Sequence, residues 1–234
     1  MTLKQKSTTA KVIIFDASTL ISFAMACLYY EFRKLKDGFD GKFLITKEVK
    51  NEVIDKPMAI PRFQLEGIKL QQLLDDKILE LPESLGISDE EVSKKTEEVM
   101  NISNSTFRGR DGDIKFIDIG EASCLALGKV LGSRKIKNTL AVDERAMRSL
   151  CETPESFRKY LEKKMHSKIS IKKENLFYFK GFKIIRSIEL IYVAYKKGMI
   201  KLKNKKLLES LIYALRYKGA SISNEDIAEL KKIG

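Results

Sequence analysis

The chain has 234 residues, enough to bury a full core as one enlarged domain or two small ones. With 44% hydrophobic and 32% charged residues it falls outside disordered compositions, and no apolar run approaches the roughly 20 residues that cross a bilayer. The formal charge of +12 is uneven: residues 1–133 carry 19 Lys and Arg against 21 Asp and Glu, residues 134–234 carry 25 against 11.

The segment Met1 to Lys11 is polar and basic and lacks the apolar stretch and cleavage site of a signal peptide, so a cytoplasmic protein is expected. Lys11-Val-Ile-Ile-Phe15 reads as a strand ending at Asp16, and Ala17 to Tyr30 carries helical spacing. Lys42 to Thr46 is a second strand, followed by a helix over Lys47 to Ile54 that Pro57 should end. Leu65 to Leu74 is an amphipathic helix, and Ile78 to Leu81 a short strand. Residues 83–113 read as an acidic helix on Asp89 to Met100 followed by a loop. Ile119 to Leu131 is a small-residue helix, Thr139 to Val142 a strand ending at Asp143, and Glu144 to Cys151 a helix. Residues 152–182, basic and aromatic, fit no single element. Lys183 to Arg186 is strand-like; helices follow on Ile188 to Lys197, Lys205 to Tyr217 and Asn224 to Lys232, the last with a Ser223/Asp226 capping box. Strands alternating with helices predict an α/β fold with a mostly parallel sheet covered on both faces.

Histidine chemistry is nearly excluded, because His166 is the one histidine and lies in a lysine-rich stretch. The three cysteines have no metal-type spacing; Cys27 and Cys124, set among apolar residues, read as buried free thiols. Carboxylates must then carry any hydrolytic chemistry. In open α/β sheets the crevice lies at the carboxyl ends of the strands, where Asp16 and Asp143 both fall. Either one alone could simply cap the next helix. Two on one edge repel unless a cation neutralises them, and hard divalent ions such as Mg²⁺ or Mn²⁺ are the natural partner. Glu121, in the first turn of its helix, can join them, although the helix dipole alone favours an acid there. Glu48 and Glu52 lie one turn apart on nearly the same helix face, and spacing does not choose between them.

Four segments in order resemble the motifs of the PIN-domain nuclease family, in its prokaryotic form. They are Val-Ile-Ile-Phe-Asp16-Ala-Ser18-Thr, Thr-Lys-Glu-Val-Lys-Asn-Glu52-Val, Ile-Gly-Glu121-Ala-Ser-Cys and Ala-Val-Asp143-Glu-Arg. The tail, Phe182 to Ile200, is also similar, but Arg186-Ser187 stands where the family has Gly-Thr, which puts a ligand role for that turn in doubt. The resemblance selects Glu52 over Glu48 and implies a single three-layer α/β/α domain over residues 1–234, with insertions near 83–113 and 152–182. It further implies Mg²⁺- or Mn²⁺-dependent cleavage of RNA phosphodiester bonds, with Asp16, Glu121 and Asp143 as metal ligands and Glu52 completing the acidic cluster. Ser18 then supports the site by orienting an acid or a water, and Glu144 and Asp118 lie near enough to assist, though exposed charge is the simpler reading of each.

The second insertion interleaves Phe157, Tyr160, Phe177, Tyr178, Phe179 and Phe182 with lysines, of which Lys159, Lys163, Lys164, Lys172 and Lys173 are the candidate RNA contacts. At least half of the aromatics are expected to pack on the core. A cationic half attracts polyanions, or is merely solvated surface. Three roles fit: an RNA-processing or decay nuclease, a toxin ribonuclease held by an antitoxin, and a catalytically silent RNA-binding protein. A homodimer is the analogy-based expectation, and no membrane association is expected.

Overall fold

A computed structural model describes residues 11–233; the polar opening segment, residues 1–10, lies outside the described residues. Four parallel strands form the central sheet in the order β2 (Lys42–Leu44), β1 (Lys11–Phe15), β5 (Lys137–Ala141), β7 (Ile184–Ile185). Val12 to Phe15 are all buried, the pattern of a strand covered on both faces. On one face α1 (Ala17–Met25) and α2 (Tyr29–Asp37) pack with α11 (Ser187–Lys196) and α12 (Leu207–Tyr217). Phe15 and Phe43 from the strands meet Phe32 of α2, with ring centroids 4.8–5.4 Å apart. On the other face α7 (Ile119–Ser133) lies on β1 and β5, with α6 (Asp89–Asn104) packed along it. The arrangement is an α/β fold compatible with three α/β/α layers, as the alternation of elements predicts.

The chain runs from β1 to β2 on one side, then returns to place β5 on the other side of β1. Strand order therefore reverses at β1, and the carboxyl ends of β1 and β5 border the crevice that such a reversal opens.

Several local expectations are corrected. The helix predicted over Ala17 to Tyr30 is two helices, broken at Ala26–Leu28, where Cys27 takes a positive φ of 57°. Cys27 is consequently exposed in that turn, not a buried thiol; Cys124 is buried. Pro57 does not end the helix begun at Lys47. After α3 (Lys47–Lys50) the chain widens into a π-turn over Asn51–Asp55, where Lys56 N–H bonds Asn51 O. It then continues into α4 (Lys56–Met58), where Pro57 lies in the first turn and needs no helical N–H. From there α5 (Gln64–Asp75) matches the predicted amphipathic helix. The strand expected at Ile78 to Leu81 shrinks to a single parallel bridge, Leu44 to Glu80, at the sheet edge.

The two insertions are not independent loops. Segment 107–113 is a short hairpin, β3 (Phe107–Gly109) and β4 (Gly112–Asp113), where a loop was expected. Between α8 (Arg145–Glu152) and β7 lie α9 (Pro154–Met165), β6 (Ser170–Ile171) and α10 (Lys173–Phe179), resolving the stretch that suited no one element. β6 pairs antiparallel with β3, joining both insertions in one small sheet. Phe107 contacts Phe116 and Phe157 at 5.3 Å, and Lys172 N–H bonds Thr106 O. Of the six insertion aromatics, Phe157 and Phe179 are buried and Phe177 is largely exposed. The last helix, α13 (Asn224–Ile233), opens with the expected reciprocal bonds between Ser223 and Asp226. No helix among the described residues is long and apolar enough to cross a membrane.

Candidate active site

Asp16 follows β1 directly and caps α1, so the bland reading of a strand-end acid holds here too. Its Oδ2 accepts bonds from Ser18 N–H (3.0 Å) and from the Ser18 hydroxyl, Oδ1 has the Cys124 thiol at 4.0 Å, and the Ala17 backbone N–H also stabilises the carboxylate. The same Ser18 Oγ accepts Asp143 N–H (3.0 Å) and Glu144 N–H (3.2 Å), which uses its one proton and both lone pairs. One hydroxyl therefore clamps the end of β1 to the end of β5.

Asp143 Oδ1 accepts the buried Ser187 N–H (2.8 Å), and Oδ2 is buried without a partner. The turn at Arg186-Ser187, whose departure from Gly-Thr cast doubt on it, thus holds the fourth acid by its backbone. Arg186 itself turns away, to Glu189 and Asp226.

Glu121 is fixed from the other side. Its Oε2 accepts Asp118 N–H and Asp118 Oδ1 accepts Glu121 N–H, both at 3.0 Å, a capping box opening α7. Glu121 Oε1 is buried and unpartnered. The three acids share a design: each is oriented through one oxygen and left open at the other.

Glu52 arrives on the π-turn. Thr46, the N-cap of α3, meets Ser123 of α7 through their hydroxyls at 2.6 Å, which docks the two helices. Glu52 then lies against Gly120, where a β-carbon would fall 2.9 Å from Glu52 Oε2 and 3.4 Å from Asp118 Oδ1. Glycine precedes Glu121 because that space is taken by a carboxylate. Glu48 also turns inward, with Oε2 buried and unpartnered, so neither glutamate is plain surface charge.

Burial dominates the electrostatics. Asp16 and Asp143 are 2% exposed and Glu121 8%, too little for bulk water to solvate a charge. Desolvation pushes the Asp16 carboxyl up to about 6 and the Glu121 carboxyl up to about 9, with neighbouring acids adding to both. Glu52 is raised by burial, then by Asp118 and Asp16. Asp118 recurs as a neighbour of all three, so it belongs to the acidic cluster although it is exposed. Its spacing from Glu121, the Asp-x-x-Glu of a capping box, was the available signal. Glu144 is exposed; it caps α8 and contributes its charge near Glu121.

The donor set has the chemistry of a hard divalent cation's ligands: carboxyl oxygens only, buried and short of partners. Among the described residues no three acid, histidine or cysteine side chains are placed so that together they could hold a metal ion.

The RNA-contact candidates lie apart from the acids in sequence, on α9 and at the start of α10. Lys159, Lys163 and Lys164 are exposed on α9, and Lys172 and Lys173 flank the start of α10. Arg145, two residues after Asp143, sits over the Tyr160 ring of α9 at 4.6 Å.

No protein-family model, curated protein or solved structure matches the chain. Fold and site together define a parallel α/β protein with a buried acidic cluster at the strand-order reversal of its sheet.

Proposed function

We propose that the chain is a metal-dependent endoribonuclease of PIN type, acting in RNA processing or decay. One observation carries the reading: Asp16, Glu121 and Asp143, from three separate elements, are each held by one oxygen with the other left without a strong partner. Buried acids held this way weaken the fold unless something compensates them, which is the mark of a site kept for function.

Asp16, Glu121 and Asp143 would hold Mg²⁺ or Mn²⁺, with Glu52 and Asp118 adding negative charge at the rim. Bound there, the ion supplies Lewis-acid activation of water and neutralises charge on the scissile phosphate. Ser18 is a positioning residue, fixing Asp16 and the backbone at Asp143 and Glu144. Arg145 and the α9 lysines offer cationic contacts to the flanking strand.

The test is cleavage of labelled RNA with Mn²⁺ or Mg²⁺ by wild type, Asp16→Asn and Asp143→Asn. Metal-dependent cleavage lost in both variants supports the reading, and activity surviving both sinks the site. Salt-sensitive RNA binding without cleavage under any metal would instead favour a catalytically silent binding protein.

A second reading is favoured by the surface next to Glu52. Ile21 and Phe63 are exposed there and share with Glu52 a cavity of about 220 Å³, and Met58, Ile60, Leu65 and Ile68 are exposed elsewhere on the same 58–68 stretch of chain. A protein partner covering that face, an antitoxin-like inhibitor or a second copy of the chain, would block access to the acids. Light scattering of the purified protein, alone and co-expressed with its neighbouring reading frames, separates these states.

A further inference from the structure

At the end of the sheet opposite the acids, a second feature is built from the same helix. Beside the amino end of β5 lies a groove of about 400 Å³ between the last turns of α7 and the segment leading into β7. Its lining contains Lys129, Lys137, Lys180 and Lys183 and no Asp or Glu. The floor is packed: a β-carbon on Gly128 would lie 2.8 Å from the Phe182 ring, and Asn138 bonds Gly128 O through its side-chain amide. Lys129 Nζ sits over the Tyr178 and Phe182 rings at 4.4 and 5.1 Å, and Lys180 Nζ over Phe177 at 4.2 Å. Aromatic faces hold ammonium groups in place without neutralising them. Burial, with Lys95 nearby, also holds the Lys129 ammonium below its ordinary range, and Cys151 and Glu98 oppose this only in part. Four lysines line this one concave space with no acid among its lining residues, and an anion that enters meets net positive charge.

We propose that this groove binds phosphate groups of a nucleic-acid strand or a nucleotide, with Lys129, Lys137, Lys180 and Lys183 as the contacts. Gly132 and Gly181, where a β-carbon would meet nothing within 4 Å, leave room for a phosphate to approach the backbone, and Phe182 offers an apolar wall for a sugar or base. From Glu121 to Gly132 the helix runs about 16 Å, so the groove is a separate anchoring site. For an RNA ligand the inference rests on the RNA reading above and adds a second hold on the strand.

The test uses the full chain in EDTA, so that it needs no cleavage. Anisotropy titrations of a short labelled single-stranded RNA, over a salt series, compare wild type with Lys137→Ala/Lys183→Ala and with Lys137→Arg/Lys183→Arg. Both lysines are exposed, and matching thermal melts verify the fold. The alanine pair should bind about tenfold more weakly, with a log–log salt slope shallower by about 1.4, as expected for two lost phosphate contacts. The arginine pair should bind like wild type. A parallel titration with a nucleoside triphosphate separates the sources: loss of that binding alone assigns the groove to free nucleotides. Unchanged affinity for both ligands in the alanine pair overturns the proposal, whether or not the acidic site proves to cut RNA.

Discussion

Ser18 and Asp143 are 125 residues apart in the chain and are joined by a 3.0 Å hydrogen bond from the Asp143 amide to the Ser18 hydroxyl. Because the hydroxyl also donates to Asp16, a single side chain couples the two strand ends that carry the acids. Its removal leaves two backbone N–H groups without their acceptor and Asp16 Oδ2 with the Ser18 backbone N–H in place of two donors.

Ser18→Ala should therefore destabilise the protein by about 1–3 kcal/mol, the cost of unsatisfied buried polar groups. Cleavage should fall more than stability alone explains, since Asp16 loses its orientation. Urea denaturation alongside RNA cleavage at a temperature where both proteins are folded checks this, and a variant with wild-type values in both assays removes the coupling role.

The buried acids set a pH dependence with a definite sign. Asp16 rises from 3.8 to about 6 and Glu121 from 4.5 to about 9 on folding. The folded state thus binds more protons than the unfolded state between those values. The stability these groups contribute is complete below about pH 4 and is lost as pH rises, through about 6 for Asp16 and about 9 for Glu121. Glu121→Gln keeps an oxygen for Asp118 N–H while removing the charge. In EDTA at pH 8 it should be more stable than wild type by about 1–3 kcal/mol, and at pH 4 the two should converge. Added Mn²⁺ should raise the wild-type Tm more at pH 8 than at pH 5, and should raise that of Glu121→Gln little. Parallel pH profiles for the two proteins would contradict this account.

Gly120 offers a change aimed first at Glu52, with Asp118 Oδ1 next at 3.4 Å. An alanine β-carbon would meet Glu52 Oε2 at 2.9 Å, and that oxygen is the far end of a flexible side chain. Gly120→Ala should change stability by less than about 1 kcal/mol, since alanine is the better helix former. Cleavage should nonetheless drop at least about tenfold, one factor of about 1.4 kcal/mol in the barrier, as the carboxylate is pushed aside. Wild-type activity in this variant would remove Glu52 from the machinery.

The paired insertions should behave as one unit. Phe107 is fully buried between Phe116 and Phe157, so Phe107→Ala should cost about 3–5 kcal/mol locally. Hydrogen exchange should then accelerate together in 107–113 and in 170–179, while β1 and β5 keep their protection. Acceleration confined to the first segment would show that the two insertions are held separately.

Local pattern sufficed wherever the deciding force was local. The apolar run Val12 to Phe15 and the helical spacing of Ile119 to Leu131 mark a buried strand and a buried helix, because burial on one or both faces leaves a period in the sequence. The Ser223/Asp226 box was legible for the same reason, since its partners are three residues apart. Pro57 misled because a π-turn shifts the hydrogen bonds by one residue, which no propensity signals. Cys27 misled because apolar neighbours do not reveal a left-handed turn.

The acids divide along the same line. Sequence by itself placed Asp16 and Asp143 at strand ends and Glu121 in a first helical turn, and so put carboxylates at the edge where an α/β sheet opens. Only the tertiary structure decided that Ser18 ties β1 to β5, that Ser187 holds Asp143, and that Glu52 fills the space Gly120 leaves. It also decided that the hairpin at 107–113 finds its third strand at Ser170–Ile171. Each of these contacts spans many tens of residues along the chain and rests on the meeting of two surfaces, and a side chain's far partner leaves no period or spacing in its own neighbourhood.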